Sequence, residues 1–212
     1  MKYKYIIWDW NGTLYDDVQI GIDAMNEMLK IKGYNNFLTV DRYREIFCFP
    51  IMEYYRRVGF DFNIHPFEEL AELYIKLYTP MQQNARLFAD TETVLSKINA
   101  LGAIQTVISA CEKNRLSQQI NQFGIMDYFS DAVGIDDNYA AGKSELARQW
   151  MRENAIDPDD AVFIGDTVHD FETAQAVGCS SILVAGGHQN TDRLKKTGVE
   201  VVGCIGEILP YL

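Results

Sequence analysis

Residues 5–14 read YIIWDWNGTL, an apolar run that leads directly into an acidic residue and then a glycine. The run from Tyr5 to Trp8 predicts a buried β-strand, and Asp9 then stands where such a strand meets a loop. A carboxylate at this kind of strand end is a candidate nucleophile. Asn11 is an amide at the place where a second carboxylate is expected to handle protons.

Helical patterns fill the region after this first strand. The first predicted helix has four apolar residues on one face, Val18, Ile22, Met25 and Leu29. Further helical patterns cover residues 41–58 and 67–78, with breaks at proline and glycine and no alternating strand pattern between them. We therefore expect residues 16–83 to form an all-helical insert.

Strand and helix patterns alternate over the rest of the chain. Short apolar runs predict strands at residues 104–108, 132–135, 161–164 and 181–184, with helical patterns between them. Strands separated by helices indicate a parallel sheet covered by helices on both faces. The predicted fold class is therefore α/β, a doubly wound, Rossmann-like parallel sheet formed by residues 1–15 and 84–212. Ligands of such sheets bind at the carboxyl ends of the strands.

Polar side chains of a suggestive kind stand at these predicted strand ends: Asp9, Ser109, Asp166 and Asp170, with Lys143 opening a later helix. Three carboxylates brought close together repel one another, and each raises the pKa of the others, unless a cation holds them ionised. Carboxylate oxygens are ligands that Mg²⁺ prefers. Lysine and serine can donate to phosphate oxygens. The set predicts a magnesium site that carries out phosphoryl transfer.

Composition narrows the range of partners. The 212 residues carry a net charge of −11, with 48% hydrophobic and 23% charged residues. Nucleic acids and anionic membranes attract basic surfaces, so we expect neither as a partner. A small-molecule substrate is therefore the expected partner. No apolar stretch is long enough for a signal peptide or a membrane span, so we expect a cytoplasmic protein. We expect a monomer or a homodimer.

Four ordered segments resemble the motifs of the haloacid dehalogenase-like hydrolases: residues 9–14, Ser109, Lys143 and residues 165–170, which read GDTVHD. The resemblance spans nearly the whole chain. The helical insert is similar to the C1 cap of the phosphoglycolate phosphatase-like branch of that superfamily. The resemblance implies a hydrolase that acts on a small phosphorylated metabolite, with Mg²⁺ as its cofactor.

The resemblance also implies roles for single residues. Asp9 would attack phosphorus and form an aspartyl-phosphate that water hydrolyses. The metal would be held by Asp9, the main-chain carbonyl of Asn11, Asp166 and Asp170, the last as a ligand or as a support for one.

Phosphate contacts are implied for a second group of residues. Ser109, Ala110 and Gly12 would bind the phosphate, and Lys143 would also neutralise the charge that grows during transfer.

Asn11 departs from the family pattern, because the matching residue is usually an aspartate that protonates the leaving oxygen and activates the water. That help is worth about 10²- to 10⁴-fold in rate. One interpretation is a slow or selective phosphatase whose leaving groups are acidic, as in acyl phosphates, aryl phosphates or anhydrides. On this interpretation, Asn11→Asp is expected to raise activity on alkyl phosphates about tenfold or more.

Two other interpretations stay open. The first is a phosphate-binding regulatory protein without turnover. The second is dehalogenation, or phosphonate cleavage through a cap lysine, for which Lys30, Lys32 and Lys76 are the candidates.

Several side chains have no assigned role at this stage. His169 and His188 could each serve the site or simply belong to their loops. The aromatic residues Phe47, Phe49, Tyr54 and Tyr55 are interpreted as core packing, with a substrate cage as the alternative. Arg56 and Arg57 are candidates for contacting an anionic substrate.

Overall fold

The computed structural model describes residues 1–135 and 142–212. A six-stranded sheet lies at its centre, in the order β5-β4-β1-β6-β7-β8, and every pairing in it is parallel. Its strands are β1 (Tyr5–Trp8), β4 (Ile104–Glu112), β5 (Asp131–Ile135), β6 (Ala161–Gly165), β7 (Ser180–Val184) and β8 (Glu200–Val202). The predicted parallel α/β fold is confirmed.

Helices connect the strands and cover both faces of the sheet. They are α5 (Thr91–Ala100), α6 (Lys113–Gln122), α7 (Lys143–Glu153), α8 (Val168–Val177) and α9 (Thr191–Lys195). Successive residues of β1 enter different clusters: Ile6 and Trp8 pack with residues of α5 and α6, whereas Ile7 packs with residues of α7 and α8. A central strand buried on both faces needs an apolar residue at every position, which explains the unbroken run at 5–8.

Four helices lie between the first strand and the rest of the sheet: α1 (Val18–Ile31), α2 (Val40–Ile46), α3 (Ile51–Val58) and α4 (Phe67–Met81). They share a hydrophobic cluster of their own, with members from Val18 to Leu70. A short antiparallel ribbon of β2 (Tyr15–Asp16) and β3 (Arg86–Leu87) joins them to the sheet. We propose residues 16–83 as a cap, and call residues 1–15 and 84–212 the core.

The structure departs from the sequence-based expectations in three places. Strand β4 does not end at residue 108 but continues to Glu112, with an irregular register after Ile108, so Ser109 lies within the strand. The ribbon and β8 were not expected, because segments of two or three residues are too short to show a periodicity.

Among the described residues, no helix is both long and apolar enough to cross a membrane.

A buried hydrogen bond ties the loop after β1 to helix α6. The indole nitrogen of Trp10 donates to Gln119 Oε1 at 2.8 Å, and both side chains are buried. Gln119→Leu leaves that indole N–H unpaired, so we expect the free energy of unfolding to fall by about 1–2 kcal/mol in urea denaturation. Gln118 is exposed on the same helix and provides the control. Gln118→Leu should stay within about 0.5 kcal/mol of wild type, and equal losses in both variants would contradict the assignment.

Candidate active site

Three carboxylates meet at the carboxyl end of the central strands. Asp9 follows β1, Asp166 follows β6, and Asp170 lies in the first turn of α8. Because β1 and β6 are neighbours in the sheet, their ends bring Asp9 and Asp166 together. One oxygen from each of the three groups lies within 4.8 Å of the others, and all three residues are buried. The structure therefore assembles the carboxylate cluster expected from the sequence.

Lys143 is the cation of this cluster. Its ammonium group donates to Asp9 Oδ1 and, at 2.5 Å, to Asp170 Oδ1. Burial lowers the pKa of Lys143, but Asp170 and Asp9 raise it by more than burial lowers it. The net shift is upward, so the ammonium group stays protonated. Burial raises the pKa of Asp9, and although Lys143 opposes that rise, the charges on Asp170 and Asp166 add to it. Within the protein alone, burial and the neighbouring carboxylates therefore favour the protonated form of Asp9 over the ionised form.

The donor set fits a divalent cation. Three carboxylates and one ammonium group leave two negative charges, which one divalent cation would neutralise. All three groups offer oxygen, the donor type of Mg²⁺ sites. Asp170 Oδ2 already accepts bonds from the backbone N–H groups of Asp166 and Thr167 and from the Thr167 hydroxyl. Asp170 is therefore better placed to support the site than to bind a cation with both oxygens.

The Asp166 side chain packs closely against the main chain at Gly12 and Gly187. Its Oδ1 accepts a bond from the Thr13 hydroxyl at 2.9 Å, and its Oδ2 accepts the His188 backbone N–H at 2.5 Å. A β-carbon added at Gly12 or Gly187 would overlap the Asp166 side chain. Gly12 also has a φ of +77°, which favours glycine. These two glycines allow the carboxylate to lie against the main chain.

Asn11 is fixed by two groups of the cap. Its Nδ2 donates to Asp17 Oδ2 at 2.8 Å and to the Tyr78 hydroxyl at 3.3 Å, and Tyr78 in turn donates to Asp17 Oδ2 at 2.5 Å. Asp17 was not among the residues singled out from the sequence. Its only signal there is its place in an acidic pair directly before the first helix. The amide of Asn11 is what allows this buried carboxylate to stand beside it.

His188 completes this network. Its Nε2 lies 3.4 Å from Asp17 Oδ1, and its Nδ1 lies 2.7 Å from the Tyr43 hydroxyl. Burial lowers the pKa of His188, but the charge and hydrogen bond of Asp17 outweigh it and raise the pKa to about 9. For Asp17 the same two effects act in the opposite directions. Burial raises its pKa, but the charge and hydrogen bond of His188 lower it by more, so the pKa of Asp17 is lowered overall. The pair is a buried ion pair at the boundary between cap and core.

The residues predicted to bind phosphate differ in their positions. Ser109 and Ala110 line the cavity above Asp9, and the Ser109 hydroxyl accepts the Cys111 N–H at 3.1 Å. The Gly12 N–H is engaged by the Tyr15 carbonyl and Asp17 Oδ1. A phosphate-binding role for Gly12 therefore stays a prediction that its amide geometry does not favour.

A cavity of about 710 Å³ lies between the carboxylate cluster and the cap. Its lining includes Phe47, Phe49, Tyr54 and Tyr55, together with Asp9, Asn11 and Lys143. The aromatic residues predicted as core packing therefore also form a wall of the cavity. His169 lines it as well and stacks on Phe49, with ring centroids 4.5 Å apart; burial and then Lys143 lower its pKa.

Arg56 and Arg57 do not reach this cavity. Both are exposed on α3 and paired with Glu53. Their role as candidates for contacting an anionic substrate stays a prediction that this arrangement of cap and core does not favour.

Polar contacts hold the cap against the core. Arg193 donates to the carbonyls of Arg44, Glu45 and Phe47, and Gln189 also donates to Phe47, at 3.1 Å. Arg44 donates in the other direction, to the carbonyl of Gly187 at 2.9 Å. The described arrangement is therefore a closed one, in which the cap covers Asp9.

Comparisons with known proteins agree with this geometry. The profile of the haloacid dehalogenase-like hydrolase family matches residues 6–184. A phosphoglycolate phosphatase from Vibrio vulnificus is 22% identical over 197 residues, which cover 89% of this chain and 86% of that protein.

Solved structures show the same fold. A haloacid dehalogenase-like family hydrolase from Streptococcus pneumoniae superposes with a TM-score of 0.86 at 20% identity, covering 99% of this chain and 98% of that one. CbbY from Rhodobacter sphaeroides, solved in complex with phosphate, has a TM-score of 0.74 at 18% identity, with 97% and 96% covered.

The Asp17–His188 pair predicts a dependence of stability on pH. The folded pKa of His188, about 9, lies above its reference value of about 6.5. Its stabilisation is therefore fully present below pH 6.5 and is lost as the pH rises through 9. We expect the free energy of unfolding to fall by on the order of 3 kcal/mol over that range. His188→Gln and Asp17→Asn should each flatten this slope in urea titrations, and a wild-type slope in either variant would refute the assignment.

Proposed function

The chain belongs to the haloacid dehalogenase-like hydrolases, and we propose that it is a magnesium-dependent phosphatase that acts through an aspartyl-phosphate. The observation that carries the proposal is the position of Asp9. Its carboxylate lines the cavity, is bonded to Lys143, and lies within 4.8 Å of two further carboxylates. A nucleophile, a cation and a set of oxygen ligands thus converge on one point below a closed cap.

In the first step, an Asp9 oxygen forms a bond to phosphorus while the ester oxygen departs with its electron pair. Lys143 donates to Asp9 Oδ1 and would orient the nucleophile and balance the charge gained by the phosphoryl oxygens. Ser109 and Ala110, which line the cavity, would contact those oxygens. Mg²⁺, held by Asp9, Asp166 and the Asn11 carbonyl with support from Asp170, would keep the carboxylates ionised and attract the phosphate.

In the second step, water forms a bond to phosphorus and Asp9 departs as a carboxylate. This step needs a group that accepts a proton from the water, and Asn11 cannot do so. Its amide is also occupied by Asp17 and Tyr78. We therefore expect hydrolysis of the aspartyl-phosphate to be the slow step.

The second candidate function is a regulatory protein that binds phosphate without turnover. The Asn11 amide, held by Asp17 and Tyr78, is compatible with it, because such a protein needs no proton carrier at this position. The complete set of Asp9, Lys143, Asp166 and Asp170 favours catalysis, because three buried carboxylates destabilise a site that has no use for them. Phosphonate cleavage through a cap lysine has no support in the cavity. Among the described lining residues, the cap contributes no lysine, and Lys30 and Lys76 are exposed.

The covalent intermediate is directly testable. During turnover of a ³²P-labelled aryl phosphate with Mg²⁺, we expect acid quenching to trap protein-bound phosphate at a level approaching one per active site. Asp9→Asn should abolish both this label and phosphate release. Asp16→Asn, a change at an exposed carboxylate outside the cluster, is the matched control and should retain both. Product formation without any trapped label would contradict a slow second step, and full activity in Asp9→Asn would refute the proposed function.

The structure changes what is expected of Asn11→Asp. A carboxylate at this position would stand against Asp17 Oδ2, where the amide now donates at 2.8 Å. Repulsion should lower the free energy of unfolding by about 1–3 kcal/mol and offset the expected gain in rate. Asn11→Asp combined with Asp17→Asn restores a donor and acceptor pair at this position, although it also removes the ion pair between Asp17 and His188.

We expect the double variant to raise kcat/KM for an alkyl phosphate about tenfold or more over wild type, as part of the value of general acid catalysis. Steady-state kinetics and urea denaturation of wild type, both single variants and the double variant form a double-mutant cycle, which measures the coupling between positions 11 and 17. A stable single Asn11→Asp variant with the full gain would show that Asp17 does not constrain this position.

The substrate itself, the cytoplasmic location, and the monomeric or homodimeric state stay predictions from the sequence.

A further inference from the structure

The cavity above Asp9 has two chemically different walls. The core wall carries Asp9, Lys143 and Asp170. The cap wall is mostly aromatic and aliphatic, with Phe47, Phe49, Tyr54, Tyr55, Tyr74 and Ile75 among its members. Aromatic side chains pack against flat rings in stacked or edge-on arrangements. The tyrosines of this wall add neutral hydroxyl groups, and that of Tyr54 is buried without a hydrogen-bond partner among the described residues. The wall opposite the phosphate site therefore suits an apolar ring.

The cap provides no cation for a second anionic group on the substrate. Within residues 16–83, all of which are described, no lysine or arginine lines the cavity. Asp17 does line it, but its carboxylate is paired with His188. A carboxylate on the leaving group would thus meet aromatic rings and neutral tyrosine hydroxyls at the cap wall, with no cation to pair with, and burying an unpaired charge is costly.

Arg115 is a cation on the core side of the cavity. Glu112, also on the cavity wall, accepts the backbone N–H of Arg115 at 3.0 Å, and the charge of Arg115 adds to the backbone hydrogen bonds that lower the pKa of Glu112. The negative charge of Glu112 partly offsets the positive charge that Arg115 brings to the described core wall.

The size of the cavity agrees with its chemistry. Its volume of about 710 Å³ falls within the range of about 300–1,000 Å³ that is typical of sites for drug-sized ligands. The space extends from the carboxylates to helices α3 and α4, where Met52, Phe67 and Ile75 line it. A leaving group of two or three atoms would leave this apolar part of the cavity unfilled.

The state of Asn11 limits the leaving group independently. Asn11 lacks an acidic proton, and its amide is bound to Asp17 and Tyr78. An alcohol that must leave without protonation has to be acidic, and phenols, with a pKa of about 10, are far better in this respect than alkyl alcohols. Cavity lining and proton chemistry thus select the same class of compound.

We propose that the substrate is a phosphate monoester of an aromatic alcohol, whose ring packs against the cap wall and whose phenolic oxygen leaves as the anion. This inference rests on the proposed phosphatase function. The Asp9 oxygen bonds to phosphorus as the bond between phosphorus and the aryl oxygen breaks. The aryloxide keeps the electron pair and then takes a proton from solvent. Water next displaces Asp9 from phosphorus and gives its proton to solvent.

Four substrates separate the two features of this class. Phenyl phosphate has a ring and an acidic leaving group, benzyl phosphate has only the ring, acetyl phosphate has only the acidic leaving group, and 2-phosphoglycolate has neither. With Mg²⁺ and the full chain, we expect kcat/KM for phenyl phosphate to exceed that for benzyl phosphate by about 10²- to 10⁴-fold. Binding to Asp9→Asn, which cannot form the intermediate, should be tighter for phenyl than for acetyl phosphate, and 2-phosphoglycolate should have the lowest kcat/KM of the four.

Phe49→Leu tests the contribution of the cap wall. Phe49 lines the cavity, and leucine keeps an apolar side chain but removes the ring. We expect KM for phenyl phosphate to rise about three- to tenfold, in line with the value of aromatic contacts, whereas KM for acetyl phosphate stays unchanged. Phe37 is 54% exposed and does not line the cavity, so Phe37→Leu is the matched control and should change neither constant.

Three results would decide against the inference. A kcat/KM for 2-phosphoglycolate equal to or above that for phenyl phosphate overturns it and leaves the phosphatase function intact. Equal kcat/KM values for phenyl and benzyl phosphate overturn the requirement for an acidic leaving group. If none of the four compounds releases phosphate and none labels Asp9, the proposed function fails, and the substrate class fails with it.

Discussion

The confinement of three carboxylates around one ammonium group is the constraint on which the rest of the site depends. Asp9, Asp166 and Asp170 are buried within 4.8 Å of one another, with Lys143 bonded to two of them. Burial and like charge both favour the protonated forms of Asp9 and Asp166, and a protonated Asp9 cannot act as a nucleophile. On the proposed function, this chemistry would need a divalent cation, and the adjacent parallel strand ends bring together carboxylates that could hold it.

Much of this arrangement could be predicted from the sequence, because long elements and strand ends leave clear patterns. The central strand is apolar at every position because both of its faces are buried, and the order of the motifs along the chain brings their polar residues to one edge of the sheet. Asp17 could not be predicted, since its importance comes from contacts with His188 and Tyr78, 171 and 61 residues away in sequence. The aromatic residues of the cap were predicted as core packing because a sequence pattern does not distinguish a core from the wall of a cavity.

Asn11 and Asp17 are best understood as one unit. The usual carboxylate of the family at position 11 would conflict with a second buried carboxylate at hydrogen-bonding distance, whereas an amide donates to it. The same carboxylate pairs with His188, which also contacts Tyr43 of the cap. A change that removes a proton carrier from the site thus coincides with an ionic and hydrogen-bonded link between core and cap. On the proposed function, the absence of a general acid at position 11 and the link between core and cap both follow from one arrangement.

Charge balance connects this closed state with the identity of the substrate. With a divalent cation bound, the three carboxylates and Lys143 are neutral as a set, and the Asp17–His188 pair is neutral as well. A phosphate monoester then adds only the charge of its phosphate group, which Lys143 and the cation can approach directly. A second anionic group would have to be buried beneath an aromatic cap that provides no cation. Because the whole chain carries a net charge of −11, solvent-side attraction offers no compensation for that cost. On the proposed function, we therefore expect the closed cap to discriminate mainly through the charge and polarity of the leaving group, since an uncharged aromatic ring is the group that it can cover at least energetic cost.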